Sequence, residues 1–285
     1  MLKKIITISI LTFFSHTAFA EEAADKAEFK KLYAEFNELF ATPTNINTII
    51  DVAERVYGIA PYAYGEDSKQ YAVVTYNLAV VYDEKGGDGN RSFGLQNTPE
   101  IRAIELYKLY FSRLEKLETE YNQSHIEQYL KYITADAKYN RFRSNDRSSR
   151  ELLKIAQSID LPAVDLAELC FTLGDLRIEA KHRNQSKYFY QTAYDALKSS
   201  DEKNHQLLGS SAQILASYES ASGNNSKAET YLLEASSVFN SQPEIDNEKL
   251  MTLYAALERL YISMGNDNDA KIYNEKLLEL SSTSK

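Results

Sequence analysis

The sequence predicts an all-α chain, an array of about six antiparallel helix pairs. Three observations predict it. Turn-formers are scarce, with 10 Gly and 5 Pro in 285 residues, which suits long helices with short joints. Apolar residues recur at helical spacing along most of the chain. The stretch "SGNNSKAETYLLEA" from Ser222 returns as "MGNDNDAKIYNEKL" from Met264, and Gly223, Asn224, Ala228 and Tyr231 match Gly265, Asn266, Ala270 and Tyr273.

The elements follow in chain order. "MLKK" is a positive start, "IITISILTFF" an apolar run, and Ala18-Phe19-Ala20 places small residues where a signal peptidase reads. Residues 1–20 are therefore expected to be a signal peptide cleaved after Ala20, and the protein periplasmic. The run is too short for a comfortable membrane span, and nothing later is apolar enough, so no span is expected in residues 21–285. Cleavage leaves 30 basic against 41 acidic residues. Such a surface disfavours nucleic acid as a partner.

"AEFKKLYAEFNELF" and "INTIIDVAERVYGI" form a first helix pair. "YAVVTYNLAVVYDEKGG" puts Tyr71, Val74, Leu78 and Tyr82 on one face, and "IRAIELYKLYFSRLEKL" is its partner. A loop insert is expected between them at 83–100. "HIEQYLKYITADAKYNRF" and "SRELLKIAQSI" form a less regular middle pair. Three pairs follow. Their first helices carry Leu166, Cys170, Leu173 and the stem of Arg177, then Leu208, Ala212 and Leu215, then Leu250, Tyr254, Leu257 and Tyr261. Their second helices alternate small and bulky residues, as in Ser186, Tyr190, Ala193 and Ala228, Leu232, Ala235. Small residues let two helices approach closely while the bulky one fills the space between. Pro43, Pro61, Pro99, Pro162 and Pro243 are expected between helices or in first turns, with a capping side chain before Pro99 and Pro162.

The small-bulky-small second helix, the Leu-Gly or Leu-Ala first helix and the Gly-Asn turn resemble the tetratricopeptide repeat (TPR). The 42-residue step is similar to the longer variety found in kinesin light chains, and "YGEDSKQYAVVTYNLAVVYDEKG" looks like that variety's linker and first helix. The likeness is strongest over 160–285 and 64–110 and weakest over 120–158. Thr75, Cys170, Ala212 and Tyr254 stand where the first helix usually has an aromatic. The resemblance implies a right-handed superhelical TPR-like solenoid over 21–285, with first helices facing a concave groove. Mapped onto this chain, it makes Tyr76, Val80, Phe171, Asp175, Gln213, Ser217 and Arg259 the candidates for partner binding. This set is mixed and partly acidic, so a clamp for a terminal carboxylate is not implied. The chain also resembles exported Gram-negative TPR proteins, including the helical part of those that end in a TonB-like domain. It stops at "LLELSSTSK" after the last predicted helix, so no TonB domain is expected.

No constellation for catalysis, metal or cofactor is legible. His125, His182 and His205 are isolated, the pattern His-Glu-x-x-His is absent, and Cys170 is the only cysteine. The protein is expected not to be an enzyme. Within the insert, Asp88, Asn90 and Ser92 alternate as in a calcium loop. However, Phe93 replaces the required Gly and Pro99 the terminal Glu, so no metal is expected. In "AKYNRFRSNDRSSR", Lys138, Arg141, Arg143, Arg147 and Arg150 face one Asp146, a basic patch in an acidic protein. It reads either as a site for an anionic partner or as a turn paired with acidic neighbours. The 21 tyrosines are read as packing residues with hydroxyls at the edge.

Three functional readings follow. The first is a periplasmic scaffold or adaptor that binds a protein or peptide in the groove. The second is an envelope assembly or structural factor that uses the basic patch on anionic lipid or glycan. The third is a partner protein of a TonB-type transport system.

Overall fold

The computed structural model describes the backbone of residues 2–42, 45–86, 98–139, 145–201, 204–243 and 246–283. Side chains are described from Glu21 onward, except at 145, 146 and 283. Among these residues there are twelve α-helices and no strand. The chain divides into two compact units, residues 1–121 with 128–140, and residues 122–127 with 141–285.

The first unit holds α1 (Leu2–Ala41), α2 (Ile46–Tyr64), α3 (Lys69–Gly86), α4 (Pro99–Lys116) and most of α5 (Gln123–Tyr139). α1 packs on α2, α2 on α3, and α3 on α4. The expected face of α3 is buried at Tyr71, Val74 and Leu78, and Leu78 is fully enclosed. α4 begins as the sequence implies: Pro99 sits in the first turn, and the Thr98 side chain accepts from the Ile101 N–H at 3.4 Å. α5 joins through rings, with Phe111 and Tyr129 centroids 4.2 Å apart, and through the Tyr110 hydroxyl, which donates to Gln128 at 2.5 Å.

Two details here differ from expectation. Pro61 lies inside α2 rather than between helices. It falls in the last turn, where it removes the N–H that would otherwise bond the Tyr57 carbonyl. The Gly65 N–H closes the helix on the Pro61 carbonyl at 2.8 Å. The insert is also shorter than 83–100 at both ends, because α3 runs through Gly86 and α4 starts at Pro99. The calcium-like residues Asp88, Asn90, Ser92 and Phe93 lie outside the described residues.

The second unit holds α6 (Asn145–Ser158), α7 (Ala163–Glu179), α8 (Arg183–Ser199), α9 (His205–Ala221), α10 (Asn225–Asn240), α11 (Asn247–Ser263) and α12 (Asp267–Thr283). First helices start at Ala163, His205 and Asn247, and second helices at Arg183, Asn225 and Asp267, in equal steps. Each pair packs tightly, α7 on α8, α9 on α10 and α11 on α12, and each pair packs on the next through α8 with α9 and α10 with α11. Leu173, Leu215 and Leu257 are fully buried, as are Ser186, Ala193, Ala228 and Ala235. Pro162 takes the cap position of α7 itself and brings no side-chain hydrogen bond, so the predicted cap before it does not form.

Five turns share one geometry, three within pairs at Lys181, Gly223 and Gly265 and two between consecutive pairs at Glu118 and Asp160. Glu118, Asp160, Lys181, Gly223 and Gly265 all have positive φ. In each case the next residue's N–H reaches five residues back: Thr119 to Leu114 O, Leu161 to Ala156 O, His182 to Arg177 O, Asn224 to Glu219 O and Asn266 to Tyr261 O. This is a left-handed helix stop that satisfies carbonyls otherwise left without partners.

Arg177 departs from its expected place. Its whole side chain is enclosed, not only the alkyl stem, and Nη2 donates to the Ser149 hydroxyl of α6 at 3.2 Å. A buried guanidinium needs such partners to offset lost hydration.

Candidate partner-binding groove

In the first unit the first helix of each pair, α1 and α3, and the part of α5 within that unit line one side. α1 repeats aromatic residues at helical intervals: Phe29, Tyr33, Phe36 and Phe40. Their rings stack in turn, with centroids 5.5, 6.1 and 5.5 Å apart. Phe29 and Phe36 are buried, while Phe40 is 43% exposed. α3 faces this ladder, and the Asn77 amide donates to the Tyr33 hydroxyl at 3.3 Å across the gap.

Two clefts flank that bridge. A cleft of about 430 Å³ is lined by Phe36, Asn37 and Phe40 of α1, Tyr76, Val80 and Glu84 of α3, and Lys131 of α5, together with Tyr33 and Asn77. A smaller one of about 210 Å³ has an apolar floor of Phe29, Tyr33, Val73 and Val74, with Lys69 and Gln70 at its edge. Val73 is 46% exposed. The arrangement offers exposed aromatic and branched surface next to amide and charged groups. Such a surface has the chemistry of a site for apolar anchors, since buried apolar area supplies affinity and a few polar groups fix register.

The candidates predicted from sequence are placed as follows. Tyr76 and Val80 both line the larger cleft. The Tyr76 ring also packs at 5.7 and 5.1 Å from Tyr107 and Tyr110, and Val80 is buried in the floor. In the second unit Phe171 packs edge-on to Tyr190 at 5.4 Å, and Asp175 accepts the Tyr190 hydroxyl at 2.5 Å. Burial and the Asp175 carboxylate both push the Tyr190 hydroxyl well above its ordinary range. Asp175 thus acts as an internal tie. Gln213 is half-buried. The exposed Ser217 and Arg259 turn donors to their own helix, to Ile214 O at 2.7 Å and Ala255 O at 3.1 Å.

Of the basic cluster, Arg141 and Arg143 lie outside the described residues. Lys138 belongs to the first unit and stands 4.9 Å from the Tyr139 ring. Arg147 and Arg150 belong to the second, where Arg147 is exposed and the Arg150 guanidinium stacks 4.6 Å over Tyr188 of α8. Stacking ties Arg150 to its own fold.

The remaining chemistry-bearing residues have structural places. Cys170 is buried, and desolvation pushes its thiol up to about 12. Burial also lowers the His125 pKa, and its Nδ1 accepts from the Asn122 N–H at 3.1 Å at the start of α5. Among the described residues no three His, Cys, Asp or Glu side chains come together to hold a metal ion. No described helix is long and apolar enough to cross a membrane.

The α1 aromatics, Asn77 and Lys131 are lining residues that the sequence reading missed. Their signal was available, because Phe29, Tyr33, Phe36 and Phe40 form one helical stripe. The rule that first helices face the groove applies to α1 as it does to α3.

No protein-family model matches this chain, and no curated protein matches it either. Solved structures do. A kinesin light chain protein of TPR-like repeats from Podosopora anserina aligns with a TM-score of 0.50 at 11% identity, covering 78% of this chain and 99% of that one. The fold is a TPR-like helical repeat array. Apo RapI aligns at 15% identity and TM-score 0.49, covering 91% of this chain and 77% of its own. A signal-transduction ATPase with a TPR sensor from Pyrococcus horikoshii aligns at 16% identity and TM-score 0.46 over 98% of this chain and 39% of that one.

Proposed function

We propose that the protein is an exported periplasmic scaffold or adaptor, without catalysis of its own, that holds a protein or peptide partner on the groove side of its first helices. The observation that carries this reading is the pair of clefts along α1 and α3, with Tyr76 and Val80 in the larger one. The TPR-like fold supports a protein partner, and the signal-type N-terminus supports export. Arg150, stacked on Tyr188, favours the groove over the basic patch as the binding surface.

The test has two arms. N-terminal sequencing of the protein recovered from periplasm is expected to begin at Glu21. A photo-crosslinker at the exposed Asn37 is expected to capture a discrete partner, lost when Phe40→Ser and Lys131→Glu are combined. A folded protein that captures nothing from Asn37, or captures the same species in the double variant, overturns the groove reading.

A further inference from the structure

The two clefts along α1 and α3 constrain the shape of what occupies them. They share Tyr33, and the Asn77–Tyr33 hydrogen bond marks the step from one to the other. α3 supplies Lys69, Gln70, Val73 and Val74 to the smaller cleft and Tyr76, Asn77, Val80 and Glu84 to the larger. The centres of those two sets, with the matching sets on α1, lie about 10 Å apart along the helices at 1.5 Å per residue.

An extended chain points same-side residues every ~6.7 Å and then ~13 Å, so neither step matches. A helix presents residues i and i+7 on one face at ~10.5 Å, which does match. The walls agree with this spacing. Two parallel helices leave a trough between them, and a third helix settles into a trough as ridges settle into grooves. The exposed apolar side chains Val73 and Phe40 stand at opposite ends of the trough, one for each anchor. Lys69 edges the apolar cleft and forms no ion pair among the described residues, so the fitting occupant carries a carboxylate at that end.

We propose that the groove takes an amphipathic helix of a partner protein, with large apolar side chains at i and i+7 and an acidic residue at the end that meets Lys69. This rests on the scaffold reading above and specifies the partner's form. The smaller cleft, at about 210 Å³, suits one branched or aromatic side chain. The larger, with Asn37, Asn77, Glu84 and Lys131 on its walls, takes the second anchor with polar flanks.

The test uses two synthetic fluorescein-labelled peptides and the chain purified after export. One peptide is a helical 16-mer on an Ala/Gln background, with Leu at positions 4, 8 and 11 and Glu in its last turn. The other has the same Leu and Glu content but Pro at every third position, which holds it extended. Fluorescence anisotropy is expected to show the helical peptide binding at least about tenfold more tightly than the extended one. Val73→Glu and Phe40→Glu, both at exposed positions, are each expected to weaken the helical peptide by about tenfold or more, with unchanged circular dichroism. Lys69→Glu is expected to weaken it further at low salt than at high salt. Equal or tighter binding of the extended peptide, no binding of the helical one at millimolar concentration, or indifference to Val73→Glu and Phe40→Glu overturns the proposal. A partner captured from Asn37 that the helical peptide fails to displace overturns the helix while leaving the scaffold reading standing. Failure of that capture removes the scaffold reading itself.

Discussion

Gly174 of α7 lies directly under the ring of Tyr190 of α8. A Cβ built on Gly174 would come within 2.8 Å of the Tyr190 Cζ and 2.9 Å of its Cε1. The ring has nowhere to go: it is buried, its hydroxyl is held by Asp175 at 2.5 Å, and Phe171 packs on it at 5.4 Å.

Two effects oppose each other in Gly174→Ala. Alanine favours a helix over glycine by about 1 kcal/mol. Overpacking a fixed core costs about 1–3 kcal/mol. The second effect wins where the obstacle is a ring locked on three sides, so net destabilisation is expected. In a domain of this size, each kcal/mol lowers Tm by about 2–4 °C. A thermal melt checks the sign, and the loss should vanish in a Tyr190→Ala background, which removes the obstacle.

The shared turn geometry yields a change of opposite sign. Lys181 holds φ +61°, the place taken by Gly223 and Gly265 in the next two repeats. A side chain in that region costs about 1–2 kcal/mol, which glycine avoids. Lys181→Gly is therefore expected to stabilise by up to about 1 kcal/mol, once the glycine's extra unfolded-state entropy is subtracted. Gly223→Ala and Gly265→Ala are expected to destabilise by a similar amount, because nothing crowds those positions except the backbone itself. Denaturant midpoints of the three variants decide the matter. A Lys181→Gly midpoint below wild type would show that the lysine makes a compensating contact.

How much was legible in the sequence follows from the same residues. The helix pairs of the second unit were readable because Leu173, Leu215 and Leu257 return at equal steps and each is enclosed. The left-handed stop at Lys181 was not, since only glycine announces such a turn by its identity, while lysine adopts it because the flanking helices require it. Pro61 is not legible because residue type marks a proline as a boundary, whereas α2 continues past it to Tyr64. In the candidate groove Tyr76 and Val80 were found through repeat position. The α1 stripe is visible in the sequence, but which of its rings stays open is not, because Phe36 and Phe40 are the same residue type. Only packing decides that the first is buried, beside Ala53 and Val56 of α2 and Val74 and Leu78 of α3, and the second 43% exposed.

Glu219 links consecutive pairs in a way that should titrate. Its carboxylate accepts from Lys187 Nζ of α8 at 2.7 Å and from the Asn224 amide in the turn at 2.7 Å. The Lys187 hydrogen bond first, then that of Asn224, holds its pKa below the ordinary carboxylate range. A depressed folded-state pKa means stability that is fully present above the unfolded value of about 4.3 and is lost as pH falls through the folded value. Glu219→Gln keeps the shape and removes the charge. The gap in urea midpoint between wild type and this variant is expected to be constant near neutrality and to close below about pH 4. A gap that persists unchanged in acid would mean that packing, not charge, makes the difference.

Cys170 offers a readout of the whole second unit. The thiol is fully enclosed on α7, and burial alone raises its pKa to about 12, so thiolate is scarce at pH 8 and no reagent reaches it in the folded chain. Labelling by a disulfide reagent is therefore expected to be slow in buffer and to accelerate across the urea unfolding transition. In buffer its rate should follow the population of the unfolded state. Gly174→Ala, four residues along the same helix, is expected to speed labelling by the factor its stability loss dictates, about tenfold for each 1.4 kcal/mol. Fast stoichiometric labelling without denaturant would mean that α7 opens locally, and would separate its motion from global unfolding.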